Sequence, residues 1–83
     1  MEYHIRCNVA QGGSYDIDIS RESIVNDLKK KISSKTGIPV EDQFIVYMGR
    51  VLDNPLDQLE ACCINENFLI HVFSKSFLAR HRD

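Results

Sequence analysis

The eighteen residues from Lys35 to Leu52, KTGIPVEDQFIVYMGRVL, constrain this chain more than any other stretch. Gly37 can adopt the left-handed conformation that commonly ends a helix, and Pro39 cannot continue one. Glu41 and Asp42 carry the chain round to Phe44-Ile45-Val46-Tyr47-Met48, a run with no polar interruption, and Gly49-Arg50 closes a tight turn before Val51 and Leu52. Side chains of a strand alternate between faces, so Ile45 and Tyr47 point one way while Phe44, Val46 and Met48 point the other. Both sets are apolar, with Tyr47 expected to be partly buried at the edge. One face has to be the core, and the other is either covered by a second layer or left as an adhesive surface.

Length decides how much covering is possible. A chain of 83 residues makes one small domain, which buries only about 60–65% of the surface of its unfolded form. It has room for one sheet and one or two helices, but not for helices on both sheet faces. A formal net charge of −2 argues against a general polyanion binder, so no nucleic-acid partner is expected. The lysines Lys29, Lys30, Lys31 and Lys35 read as the solvated face of a helix. No apolar run approaches the roughly 18–20 residues that span a bilayer, and the N-terminus lacks a signal-peptide pattern. Cys7, Cys62 and Cys63 make a poor disulfide framework and have no zinc-like spacing. Reduced thiols, a cytoplasmic or nuclear location and no metal or cofactor are therefore expected.

The rest of the chain reads as alternating elements. Tyr3, Ile5, Cys7 and Val9 alternate with polar residues, as do Tyr15, Ile17 and Ile19, and the Ala10–Ser14 turn between them carries Gly12 and Gly13. This pattern predicts a hairpin with one apolar face. Ser20 or Ser23 can cap a helix whose stripe is Val25, Leu28 and Ile32, broadened by Ile24. Pro55 breaks the chain after the second turn, Leu56 and Leu59 suggest a short helical turn, and Phe68, Ile70 and Val72 alternate along a last strand. Again both faces of that strand are apolar. The order is strand, strand, helix, strand, short strand, strand. It predicts an α+β fold, a mixed sheet of four to five strands with one helix across one face, over residues 1–74, followed by a flexible tail over 75–83.

These residues resemble the ubiquitin family, whose fold is the β-grasp. The sharpest part is Gly37-Ile38-Pro39, an acidic turn, Gln43, and Ile45-Val46-Tyr47-Met48-Gly49-Arg50-Val51-Leu52-Asp53; Leu59, Ile64 and Ile70-His71-Val72 extend it. The combined reading places Tyr3, Ile5, Cys7, Ile17, Ile19, Val25, Leu28, Ile32, Ile45, Leu52, Leu59, Ile64, Ile70 and Val72 in the core. The resemblance implies a protein-binding patch on the opposite sheet face at Ala10, Val46, His71 and Phe73, with Gly49 and Arg50 at its rim. Alternation adds Phe44 and Met48, and also Leu69.

Conjugated members of the family carry a terminal Gly-Gly that threads into activating enzymes. Here the corresponding stretch reads Lys75-Ser76-Phe77-Leu78-Ala79-Arg80. The resemblance therefore implies a non-covalent, monomeric module that docks onto ubiquitin receptors, such as ubiquitin-interacting motifs or proteasome subunits, in protein quality control. The alternative is a covalent modifier with an atypical C-terminus. Catalysis is not expected. Cys7 faces the core, away from His71, and no acid–base dyad or phosphate loop is present.

Overall fold

The structure, a computed structural model, describes residues 2–10, 12–62 and 67–76. Strands β1 (Glu2–Val9) and β2 (Ser14–Ser20) form an antiparallel hairpin in which Tyr3 lies opposite Ile19, Ile5 opposite Ile17 and Cys7 opposite Tyr15. The turn joining them depends on Gly12 and Gly13, whose φ angles of 125° and 96° suit no other residue type well. The Val9 amide closes it by donating to the Gly13 carbonyl at 3.0 Å.

Helix α1 (Val25–Thr36) buries Val25, Leu28 and Ile32 along one stripe, the three-and-four spacing of an amphipathic helix. Its N-terminus departs from the expected serine cap. The Val25 amide donates to the Asp57 carbonyl at 2.8 Å and the Asn26 amide to the Pro55 carbonyl at 3.0 Å, so the 55–57 loop satisfies donors that a side chain would otherwise serve. Asp27 adds a carboxylate that accepts from the Ile24 amide at 3.1 Å. Ser20 instead accepts from the Glu22 amide within its own turn, and Ser23 uses its carbonyl to hold the Leu59 amide. The C-terminus follows the sequence reading: Gly37 sits at φ 80° and its amide donates to the Ser33 carbonyl at 2.8 Å.

Strands β3 (Gln43–Tyr47), β4 (Arg50–Val51) and β5 (Asn67–Ser74) complete a mixed sheet in the order β2-β1-β5-β3-β4, with β1 and β5 parallel and the other pairs antiparallel. This is the β-grasp arrangement. The parallel pair requires a long crossover, and α1 lies within it, bringing its apolar stripe into the same core as the sheet's inner residues. Every expected core residue among those described is buried, while Ile64 lies outside them.

Several positions differ from expectation. Ile38 and Tyr47 join the core; Tyr47 is only 5% exposed because β4 extends the sheet beyond β3 and makes β3 an interior strand. Leu56 stays exposed, and the short 3₁₀ turn falls later, at Glu60–Cys62. Lys29 is buried rather than solvated. Its ammonium pKa is lowered first by burial and then by Lys75, with Asp53 acting in the opposite direction. Gln43 is also buried, and its side-chain amide donates to the Lys29 carbonyl at 2.8 Å and the Ile38 carbonyl at 3.0 Å, pinning β3 to the helix and to the segment after it.

Candidate functional site

The outer sheet face, away from α1, is where the two-sided strand shows its second surface. Registration sets its rows, because directly opposed residues of neighbouring strands share a face. Phe44 of β3 lies opposite Phe73 of β5, and their ring centroids are 6.0 Å apart at 54°, within the spacing of attractive aromatic pairs. Val46 lies between His71 of β5 and Val51 of β4. Leu69 continues the face toward β1, opposite Arg6. Leu69 and Val51 are 43% and 42% exposed, His71 is exposed, and Phe44, Val46 and Phe73 are half-buried against one another and their neighbours.

The remaining expected site residues form the margin. The Ala10 amide donates to the Val72 carbonyl at 2.9 Å, which holds the exposed first turn alongside the Phe73 end of β5. Met48 is not on the strand. The turn is centred on Met48 and Gly49, at φ 49° and 80°, so alternation ends at Tyr47 and the Met48 side chain, 80% exposed, stands on the hairpin tip. Two positive φ values in a two-residue hairpin loop match the twist of the flanking strands, although an unbranched apolar residue is an uncommon occupant. Arg50 lies opposite Tyr47 and hence on the core side of β4, exposed at the rim and not in the apolar row. Val51 is not among the residues expected in the patch; centring the turn on Met48-Gly49 rather than Gly49-Arg50 places it opposite Val46.

The far end of the patch is fixed by a carboxylate. Asp42 accepts from the Ser74 hydroxyl at 2.6 Å and from the amide and hydroxyl of Ser76 at 3.0 and 2.9 Å. The Ser74 hydroxyl, followed by the Ser76 donors, holds the Asp42 pKa below its ordinary value. The chain after β5 is therefore anchored at least to Ser76, two residues beyond the expected boundary. Residues 77–83, with Phe77 and Leu78, lie outside the described residues.

Chemically, this face presents apolar side chains and the exposed His71 imidazole. The Cys7 thiol is buried and pushed up to about 12, first by desolvation and then by Asp16, which leaves no thiolate at neutral pH. Cys63 lies outside the described residues, as does the side chain of Cys62. Among the described residues, no three His, Cys, Asp or Glu side chains are grouped to hold a metal ion.

Comparison with known proteins agrees with this geometry. The model of the ubiquitin family matches residues 4–76. Ubiquilin of Dictyostelium discoideum is 33% identical over 60 residues, covering 70% of this chain and 11% of that protein, so the match spans about a tenth of the relative's length. The ubiquitin-like domain of an Arabidopsis thaliana protein superposes with a TM-score of 0.87 at 26% identity, covering 99% of this chain and 85% of that one. The UBL domain of Plasmodium falciparum Dsk2 gives 0.82 at 27% identity, covering 89% and 99%.

Proposed function

The chain belongs to the ubiquitin family, and we propose that it is a non-covalent ubiquitin-like module whose outer sheet face docks onto ubiquitin-receptor proteins, including receptors of the proteasome and quality-control machinery. The observation that carries this reading is the two-sided apolarity of β3: Ile45 and Tyr47 are in the core, while Phe44 and Val46 join Phe73, Val51 and Leu69 outside. An apolar patch of this kind, rimmed by polar residues, marks a partner site. It fits a receptor helix that lays small and apolar side chains into the shallow surface over Val46 and His71. The affinity expected for so small an area is roughly micromolar, about −8 kcal/mol. Ubiquilin and the Dsk2 UBL domain, both similar to this chain, support the same class of module.

A free C-terminus for conjugation is disfavoured by both sequence and contacts. Lys75-Ser76-Phe77-Leu78 stands where conjugated relatives carry Gly-Gly, and Asp42 ties down Ser74 and Ser76. Receptors of this type belong to the cytoplasm and nucleus, and the reading carries that location with it.

The test is titration of the ¹⁵N-labelled domain with a ubiquitin-interacting-motif peptide. Amides of residues 44–51 and 69–73 should shift together, and Val46→Ala should weaken binding about tenfold, equivalent to about 1.4 kcal/mol. If those amides stay still at about 1 mM peptide, the docking reading is wrong.

A further inference from the structure

Met48 is a residue that the fold itself does not call for. It is 80% exposed on the loop joining β3 to β4, so its thioether adds nothing to the core. Its backbone sits at φ 49°, a conformation that asparagine or glycine adopts more readily than an unbranched apolar residue. The position supplies a reason for the choice. The Tyr47–Arg50 pair closes the loop, and the next pair along is Val46–Val51, so Met48 stands at the end of the apolar outer row. A partner lying over Val46 and Val51 reaches it there. Methionine suits such a contact, because its side chain is flexible and its sulfur polarizable. Met48 is also the only methionine among the described residues, and its exposure leaves the sulfur open to solvent-borne reagents.

We propose that Met48 is an oxidation-sensitive contact of the docking face: a hydroperoxide converts its thioether to the sulfoxide, and the sulfoxide weakens binding of the receptor helix. The inference rests on the docking function proposed above and adds a means of regulating it. In the oxidation, a sulfur lone pair attacks the terminal oxygen of the hydroperoxide. The S–O bond forms as the O–O bond breaks, and the proton of the attacked oxygen passes to the departing one, which leaves as water or an alcohol. Sulfur is oxidised by two electrons and the peroxide is reduced by two. A flexible apolar side chain thereby becomes a polar one. In the free domain the new S–O dipole is hydrated. Under an apolar side chain of the receptor it has to shed that water without a hydrogen-bond donor in return, which opposes binding. The fold is spared, because so exposed a side chain packs against little of the domain. Methionine sulfoxide reductases restore the thioether, so the change is reversible. Cys7 does not compete for the oxidant, since its thiol is buried and pushed up to about 12 and the thiolate is the reactive species.

The test treats the ¹⁵N-labelled domain with hydrogen peroxide and then with dithiothreitol, which returns cysteine sulfenic acids and disulfides to thiols. Peptide mapping by mass spectrometry locates the added oxygen. Met48 should gain one oxygen in the folded protein at a rate close to that of free methionine, and saturating ubiquitin-interacting-motif peptide should slow the reaction. The oxidised domain should keep the melting temperature of the untreated one and its amide spectrum outside residues 46–51, yet bind the peptide roughly fivefold more weakly. Methionine sulfoxide reductases should restore the binding. Met48→Leu, whatever its own affinity, should bind equally before and after peroxide, which assigns the effect to Met48 rather than to Met1 or the cysteines. The inference alone is overturned if the untreated domain binds the peptide and the oxidised domain binds it equally well. It is equally overturned if Met48→Leu loses as much binding on peroxide treatment as the wild type. If the peptide moves no amide of residues 44–51 and 69–73 in the untreated domain, the docking reading falls and the switch falls with it.

Discussion

Replacing Gln43 tests how β3 is held beneath the binding face. Gln43 is 1% exposed, and its amide nitrogen serves two carbonyls from different parts of the chain. In Gln43→Met the side-chain volume is kept and both hydrogen bonds are lost, each contributing about 0.5–1.5 kcal/mol net. The Lys29 carbonyl lies within α1 and keeps its helical partner. The Ile38 carbonyl lies outside the helix and is left bare, at about 1–3 kcal/mol. Against this, the Gln43 side-chain oxygen has no partner among the described residues, and removing it recovers a similar about 1–3 kcal/mol. The last two effects offset, leaving a loss of about 2 kcal/mol. For a domain of this size that corresponds to a melting temperature lower by roughly 8–16 °C. Gln43→Glu separates hydrogen-bond direction from packing, since it places a carboxylate against two carbonyl oxygens in a buried site. Its folded pKa rises above the unfolded value of about 4.3. The variant is therefore least impaired below that value and loses stability as pH rises above it. Urea unfolding of wild type and both variants at pH 4.5 and pH 7 provides the measurement. The reasoning fails if Gln43→Met lies within about 0.5 kcal/mol of wild type, or if the Gln43→Glu deficit does not grow between the two pH values.

Three further perturbations follow from single residues. Asp42 has a folded pKa below its ordinary value, so its contribution is full above about pH 4 and is lost as pH falls through the depressed value. Thermal melts of Asp42→Asn should accordingly depend less on pH than wild type below pH 4, and parallel curves would contradict the Ser74–Ser76 anchor. Met48→Asn puts a residue suited to positive φ into the Met48-Gly49 turn and should raise stability by about 0.5–1 kcal/mol. The same change should weaken binding of the motif peptide, whereas lower stability would rule out the turn geometry. Cys7, with its thiol at about 12, has on the order of one thiolate in ten thousand at pH 8. Mass spectrometry after iodoacetamide treatment should find Cys7 alkylated only in denaturant; rapid modification of the folded protein would show that it is not buried.

Much of the fold was legible because short-range periodicity carries it. The period of two in Tyr3, Ile5, Cys7 and in Tyr15, Ile17, Ile19 assigns β1 and β2 a buried face, and the Val25, Leu28, Ile32 spacing does the same for α1. The apolar outer row was legible in the same way at Phe44, Val46, His71 and Phe73, once the strand was split by face. Where prediction departed from structure, the deciding partner was distant in sequence. No local pattern announces that the carbonyls of Pro55 and Asp57 will satisfy the start of α1, or that Gln43 will be drawn inside by Lys29 and Ile38.

Sequence alone determined the β-grasp order of elements, the identity of nearly the whole core and the presence of an apolar strand with two faces. These follow from alternation, helical spacing and the Gly37-Ile38-Pro39 stop, all properties of neighbouring residues. Only the tertiary structure decided that Met48 rides on a turn, that Val51 completes the row beside Val46, and that Tyr47 and Lys29 are buried. It alone showed that β2 leaves an open edge beside the lysines of α1. Each of these depends on which strand lies next to which, and strand adjacency is set by packing between segments far apart in the chain.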